Sequence, residues 1–169
     1  LEPDLPVFPT GSQVGTPDLV LSFAESYLHE GNGIDEYRYF VLPTGLSESR
    51  DLVALEMRPG NNRVVHHALF WSDTTGTAAA LDAQTPEYGY AFGQGQGGGQ
   101  SDFGEQLPAY VPGARPNVYS HGMAQRLAAC SDLVLPVHYA PTSVDASDPS
   151  TVHPLFANPA VTRFLRTYI

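Results

Sequence analysis

Lysine is absent from this chain, and every basic residue is an arginine. Eight arginines face 18 acids, which leaves a formal net charge of −10 at pH 7. That balance argues against nucleic acid or an anionic membrane surface as partner, because like charge repels. It favours solubility and would draw in a cationic small molecule, a peptide or a metal ion. Cysteine is almost missing too. Cys130 stands alone, so no intrachain disulfide can form, and a lone cysteine of this kind reads as a small core residue. No apolar run exceeds about ten residues, half of what a transmembrane helix requires. No internal repeat is visible. The chain opens at Leu1 with neither an initiator methionine nor a charged-then-apolar leader, which reads as a processed or excised piece of something longer. At 169 residues it is about one domain, and the composition fits a secreted or periplasmic protein.

What the sequence does contain is a series of short strand-like runs. Residues 1–16, with three prolines and two glycines, read as a linker, and 17–169 as one domain. Strands are expected at Leu19–Phe23, Tyr37–Leu42, Leu52–Met57 and Val64–Trp71, then at Gln125–Leu127, Asp132–Tyr139, Val152–Phe156 and Thr162–Tyr168. Pro43-Thr44-Gly45 and Arg58-Pro59-Gly60-Asn61-Asn62 punctuate them as turns. Thr75–Gln84 is the one helical segment, with Asp73 or Thr75 as its cap. The glycine-rich stretch 89–104 lacks a following Gly-Lys-Ser/Thr and reads as a flexible surface loop, not a phosphate cradle. Many short strands with one helix predict an all-β fold, an antiparallel sandwich.

The chemistry concentrates in histidines placed on two apolar strands. His66 and His67 lie in Val64-Val65-His66-His67-Ala68-Leu69-Phe70-Trp71, and His138 in Leu133-Val134-Leu135-Pro136-Val137-His138-Tyr139. An unpartnered buried imidazole is costly, so hydrophobic strands rarely carry three without use. Imidazole is also the common ligand of zinc, copper and non-haem iron, and three nitrogens without carboxylate or thiolate suit copper or zinc. On a regular strand, however, His66 and His67 point to opposite faces. One metal takes both only if the strand bulges or ends there, or if one imidazole swings over an edge. Otherwise one of the pair is a ligand and the other packs in the core or behind the site. A hydrogen-bonded catalytic or structural cluster and satisfied core histidines stay open beside the metal.

The segments around these histidines sharpen the reading. Asp35-Glu36-Tyr37-Arg38-Tyr39-Phe40-Val41-Leu42-Pro43 precedes Arg58-Pro59-Gly60-Asn61 and Val64-Val65-His66-His67. Val111-Pro112-Gly113-Ala114-Arg115-Pro116 and Asp132–Tyr139 follow. In order and spacing this resembles the copper type II, ascorbate-dependent monooxygenases, the family of peptidylglycine α-hydroxylating monooxygenase and dopamine β-monooxygenase. The likeness runs over roughly 16–169 and covers the first of the family's two sandwich domains. It implies a jelly-roll-like antiparallel sandwich that holds one copper through His66, His67 and His138. It further implies ascorbate as electron donor, a second copper-containing domain as partner, and a small-molecule or peptide substrate hydroxylated with O2. The second domain's site uses a His-x-His pair and a methionine, and this chain has no His-x-His, so the isolated chain should bind copper without hydroxylating anything. Two departures stand out. Pro136 occupies a position that is commonly glutamine in the family, and suggests an edge strand or bulge beside the site. The family's animal members are disulfide-rich, whereas here only Cys130 is present.

The other histidines rank lower. His121 with Met123, a soft ligand for Cu(I), forms a secondary metal candidate close before the His138 strand. His29 falls in what reads as an exposed turn, and His153 before Pro154 reads as structural. Tyr139 should face the core, opposite His138, and Phe70 and Trp71 read as core residues. Two other functions remain open: a non-catalytic extracellular β-sandwich module with a retained or vestigial histidine site, and a zinc hydrolase. The hydrolase needs a nearby general base, and only Asp132 and Asp73 adjoin the two histidine strands in sequence.

Overall fold

Alternating side-chain directions sort the residues of each strand between two faces. In Asp132–Tyr139, the side chains of Leu133, Leu135, Val137 and Tyr139 are fully buried on one face. The computed structural model describes residues 11–91, 103–158 and 161–167. Among these it forms a sandwich of β-sheets with one short helix. One sheet runs in the order β1 (Leu21–Ser22), β12 (Thr151–Phe156), β4 (Arg50–Arg58), β9 (Met123–Leu127), β13 (Arg163–Phe164), with β8 (Asn117–Val118) also pairing β4. The facing sheet runs β6 (Tyr90–Ala91), β3 (Glu36–Pro43), β10 (Asp132–Tyr139), β5 (Val65–Asp73), β7 (Glu105–Tyr110). β2 (Tyr27–His29) and β11 (Ala146–Asp148) make a separate two-stranded ladder. β13 is parallel to β9, and the other described pairings are antiparallel. No helix among the described residues is long and apolar enough to cross a membrane.

The main core lies between the sheets. Phe40, Leu42, Phe70, Leu133, Leu135 and Val137 of one meet Leu52, Met57, Leu127, Val152 and Phe156 of the other. Each such side chain contributes about 1.5–3 kcal/mol on leaving water. A smaller cluster covers part of the outer face of the β10 sheet, where Tyr39, Trp71 and Val134 pack against Ala78 and Phe103. Ala78 belongs to α1 (Thr77–Asp82), shorter than the expected Thr75–Gln84 because Gly76 before it adopts φ 73°. The buried Asp73 carboxylate still caps the helix from a distance, accepting the Ala78 amide at 2.9 Å and the Thr75 amide at 2.7 Å.

Several local expectations are corrected. Cys130 is exposed, not core: it sits in the β9–β10 turn at φ 55°, its amide bonded to Leu46 O at 2.8 Å. His29 is not in a turn but ends β2, 1% exposed; the glycines that mark the turn begin two residues later. Of the two settings expected from Pro136, the edge strand is wrong, since its strand is central, while the bulge beside the site is present as a register shift between His138 and Tyr139. β10 is flanked by β3 and β5, and its register to β5 skips Leu135 and Pro136 between Val134↔Trp71 and Val137↔Ala68. A proline has no N–H to give, and the gap in the ladder accommodates that. Of the expected strand Thr162–Tyr168, the described residues 162–167 form a strand over Arg163–Phe164, and Tyr168 lies outside the described residues. β7, with Pro108, was not anticipated and lies at a sheet edge, where proline is tolerated.

Of the expected linker, residues 1–10 lie outside the described residues, as does 92–102 of the glycine-rich stretch. Residues 11–13 dock on the sheet. Ser12 Oγ donates to Glu56 Oε2 at 2.6 Å, the Gln13 amide donates to Glu56 Oε1 at 3.1 Å, and Arg58 donates to Gly11 O at 2.5 Å.

Candidate metal centre

Positioning of the three histidines begins at the turn before β5. Asn61 O accepts the amides of Val64 and Val65 at 3.3 and 3.1 Å. The turn is pinned from outside: Asp148 Oδ1 accepts the Gly60 and Asn61 amides at 3.0 and 3.1 Å. Only glycine fits at position 60, where a Cβ would lie 2.3 Å from Pro149 Cδ. The chain then enters β5 through a bulge. Against β10 the register reads Ala68↔Val137 and His67↔His138, then jumps to Val65↔Tyr139. His66 is the extra residue, so two residues of β5 answer a single step of β10. Val65 and Ala68 both stay in the core, at 1% and 0% exposure, while His66 and His67 both leave on the outer face.

On that face three imidazoles converge. His67 Nδ1 lies 3.1 Å from His66 Nδ1 and 3.3 Å from His138 Nδ1. The ring planes meet at 67–73°, like blades around an axis. Two nitrogens, each about 2.0 Å from one ion at a tetrahedral angle, would stand about 3.3 Å apart. Hydrogen bonding alone satisfies this arrangement poorly, because a neutral Nδ1 carries either one proton or one lone pair and His67 has two such neighbours. Among the described residues this is the only group of three or more His, Cys, Asp or Glu side chains near enough to share an ion. The three residues fit a metal, and the neutral nitrogen set is compatible with copper or zinc. Burial, then the neighbouring His138 and His66, push the His67 pKa below its ordinary value, which keeps its lone pair available at neutral pH.

The surroundings are asymmetric. His66 is exposed, whereas His67 and His138 are half-buried. The Tyr37 ring stacks on His138 with centroids 4.3 Å apart and planes within 2°, and meets His67 edge-on at 6.2 Å. On the far side of the His138 ring, Nε2 lies 2.6 Å from Asp35 Oδ1. Sequence reasoning missed Asp35. The available signal was the Asp35-Glu36-Tyr37 run at the head of a strand, but its closeness to His138 depends on the register Tyr37↔His138. The acids named from sequence instead pair with each other, Asp132↔Asp73, at the opposite end of the strands. That is six residues from His138, or about 20 Å along β10.

His121 and Met123 do not join the three histidines. His121 is exposed in the turn before β9, and Met123 pairs Arg163 in the other sheet. His153 is half-buried within β12, its Nε2 3.0 Å from Thr151 Oγ1 and its Nδ1 3.9 Å from Glu56 Oε2. Both ring nitrogens of His29 face oxygens, Glu36 Oε2 at 2.9 Å and Ala140 O at 3.0 Å. Tyr139, Phe70 and Trp71 are core residues.

No protein-family model matches the chain, and no curated protein matches it.

Proposed function

We propose that His66, His67 and His138 bind one copper ion through their Nδ1 atoms. We further propose that the chain is the electron-transfer domain of a two-copper, ascorbate-dependent monooxygenase that hydroxylates a carbon–hydrogen bond with O2. The convergence of three Nδ1 atoms on one sheet face carries the metal reading. Copper supplies one-electron redox chemistry, and neutral nitrogen donors are compatible with both Cu(I) and Cu(II). The chain's own contribution is a ligand set that needs little rearrangement, since the three rings already stand at ligand spacing on paired strands. The resemblance in order and spacing of Tyr37–Pro43, His66-His67 and His138-Tyr139 supports the family assignment.

On this reading residues 17–169 form a jelly-roll-like sandwich preceded by a linker over 1–16, in a secreted or periplasmic protein. The partner is a second copper-containing domain that holds oxygen and a small-molecule or peptide substrate. His121, in the turn before β9, and Met123, in the other sheet, are set aside as ligands of this ion. A hydrolytic zinc site is disfavoured by one observation. Among the described residues, the carboxylate hydrogen-bonded to these rings, Asp35, is engaged at Nε2 of His138, on the side away from the converging nitrogens.

The test is elemental analysis after dialysis against equal copper and zinc, followed by turnover under ¹⁸O₂ with ascorbate. One copper per chain, ascorbate consumption and no labelled product are expected. Stoichiometric zinc would favour the hydrolase, and no bound metal would favour a structural module. Labelled product from this chain alone would overturn the division of labour.

A further inference from the structure

We infer that Asp35 is the positioning residue of the site: it holds the His138 ring so that the Nδ1 lone pair faces His67. The inference rests on the metal reading for its consequence, but its geometry stands independently. His138 can use Nδ1 as a ligand only if its ring proton sits on Nε2. Asp35 Oδ1, 2.6 Å from Nε2, is an acceptor and nothing else when ionised, so it selects that tautomer. The Tyr37 ring, parallel to His138 at 4.3 Å, blocks rotation of the imidazole out of plane. Carboxylate and tyrosine thus fix tautomer and tilt together.

His66 and His67 have no such carboxylate partner among the described residues, so the three ligands are unequal. His138 is the oriented member, and the exposed His66 is the one free to adjust. The Asp35 side chain is 57% exposed and precedes the strand, so losing it removes a hydrogen bond to the site and little packing. A carboxylate behind a ligating imidazole also raises its basicity, which favours Cu(II) over Cu(I).

The experiment compares wild type with Asp35→Ala, Asp35→Asn and Asp35→Glu in the full chain. In the metal-free protein, ¹⁵N–¹H correlation of the His138 ring reports its tautomer at a pH where it is neutral. Wild type should show the proton on Nε2, and Asp35→Ala a mixture. With copper, competition against a chelator should show Asp35→Ala weaker by about 10–100-fold, the usual loss for such a partner. Asp35→Asn should raise the copper midpoint potential, Asp35→Glu should recover part of the affinity, and thermal midpoints should stay near wild type. An unchanged tautomer in Asp35→Ala, or wild-type copper affinity in that variant, would overturn the inference. If the wild-type chain binds no copper, the metal reading fails, while the ring correlation still decides whether Asp35 positions His138.

Discussion

His138 and Tyr139 are neighbours on β10, and each anchors a histidine–carboxylate cluster on its own face of the sheet. Inward, Tyr139 donates to Asp148 Oδ2 at 2.8 Å and stacks on His29 at 5.3 Å. Outward, His138 meets His67 and Asp35. The residue types are nearly the same, yet the inner cluster is closed. Asp148 is fully buried and also accepts from Ser150 Oγ, Gly60 N and Asn61 N. Glu36 takes both His29 and the Tyr27 hydroxyl. Every donor there has an acceptor within the chain, and burial together with Asp148 drives the Tyr139 phenol far above its ordinary pKa. In the outer cluster three ring nitrogens face one another. Burial alone would have selected His29 as the unusual histidine; uncommitted nitrogens select His66, His67 and His138.

That contrast breaks most sharply by exchanging the roles of two histidines. His67→Ala should abolish copper binding, a loss beyond the 10–100-fold expected from removing a supporting contact. It should shift stability by less than about 1 kcal/mol, because the ring lies on the outer face. His29→Ala should do the reverse. It leaves a cavity and unpaired oxygens, costing about 2–4 kcal/mol, with metal affinity intact. Copper titration and urea unfolding on both variants decide it, and a shared pattern of loss would erase the distinction between the clusters.

The carboxylates give the next comparison. Asp148→Ala orphans the Tyr139 hydroxyl and the Asn61 amide and leaves the Gly60 amide with Ser150 Oγ alone, so a loss of about 3 kcal/mol is expected in the metal-free chain. Asp35→Ala should be nearly neutral there, since its side chain is mostly exposed. Equal denaturation midpoints for the two variants would contradict the assignment of Asp148 as the structural acid.

A smaller effect should appear with pH. The folded His67 pKa lies below the ordinary value of 6.5, chiefly through burial and then through His138 and His66. The unfolded chain therefore binds this proton more readily, so stability holds above the ordinary value and falls as acid drives the pH down through the folded one. His67→Ala should flatten part of that slope below the ordinary histidine value, and protons should displace copper over the same acidic range. Parallel slopes for wild type and variant would show that His67 is not the group responsible.

The smallest expected effect is kinetic. Glu25, Glu30, Asp35, Glu36 and Glu87, opposed by Arg38, line a groove that reaches Asp35 beside the site. Anionic ascorbate approaches a field of its own sign, so copper reduction should quicken about two- to threefold from low to physiological salt. Stopped-flow absorbance measures it; a rate that falls with salt would mean that the donor enters by a different, basic route.

Much of this protein was legible residue by residue. The strand at Asp132–Tyr139 agrees with the structure end to end, and those at Tyr37–Leu42 and Leu52–Met57 lie within β3 and β4. Each pairs branched or aromatic side chains with clear turn signals, and those signals are local. Short strands such as β2 and β11 were not visible, because two or three residues carry no period and are held by partners more than a hundred positions away. Cys130 misled for a related reason: composition says how often cysteine is buried, whereas a turn between two strands fixed where this one lies.

The sequence by itself determined that the chain is all-β, strongly acidic, and carries three histidines on two strands. Their chemistry would limit any metal held there to one that accepts neutral nitrogen. Tertiary structure decided whether those histidines meet. Alternation along β5 would have sent His66 and His67 to opposite faces, and only the register jump against Tyr139 puts both beside His138. The same pairing of distant strands brings Asp35 to His138 across 103 positions. A bulge is a mismatch between two strands, and a carboxylate partner is a matter of register. Neither is a property of any one segment, so neither can be read before the strands are paired.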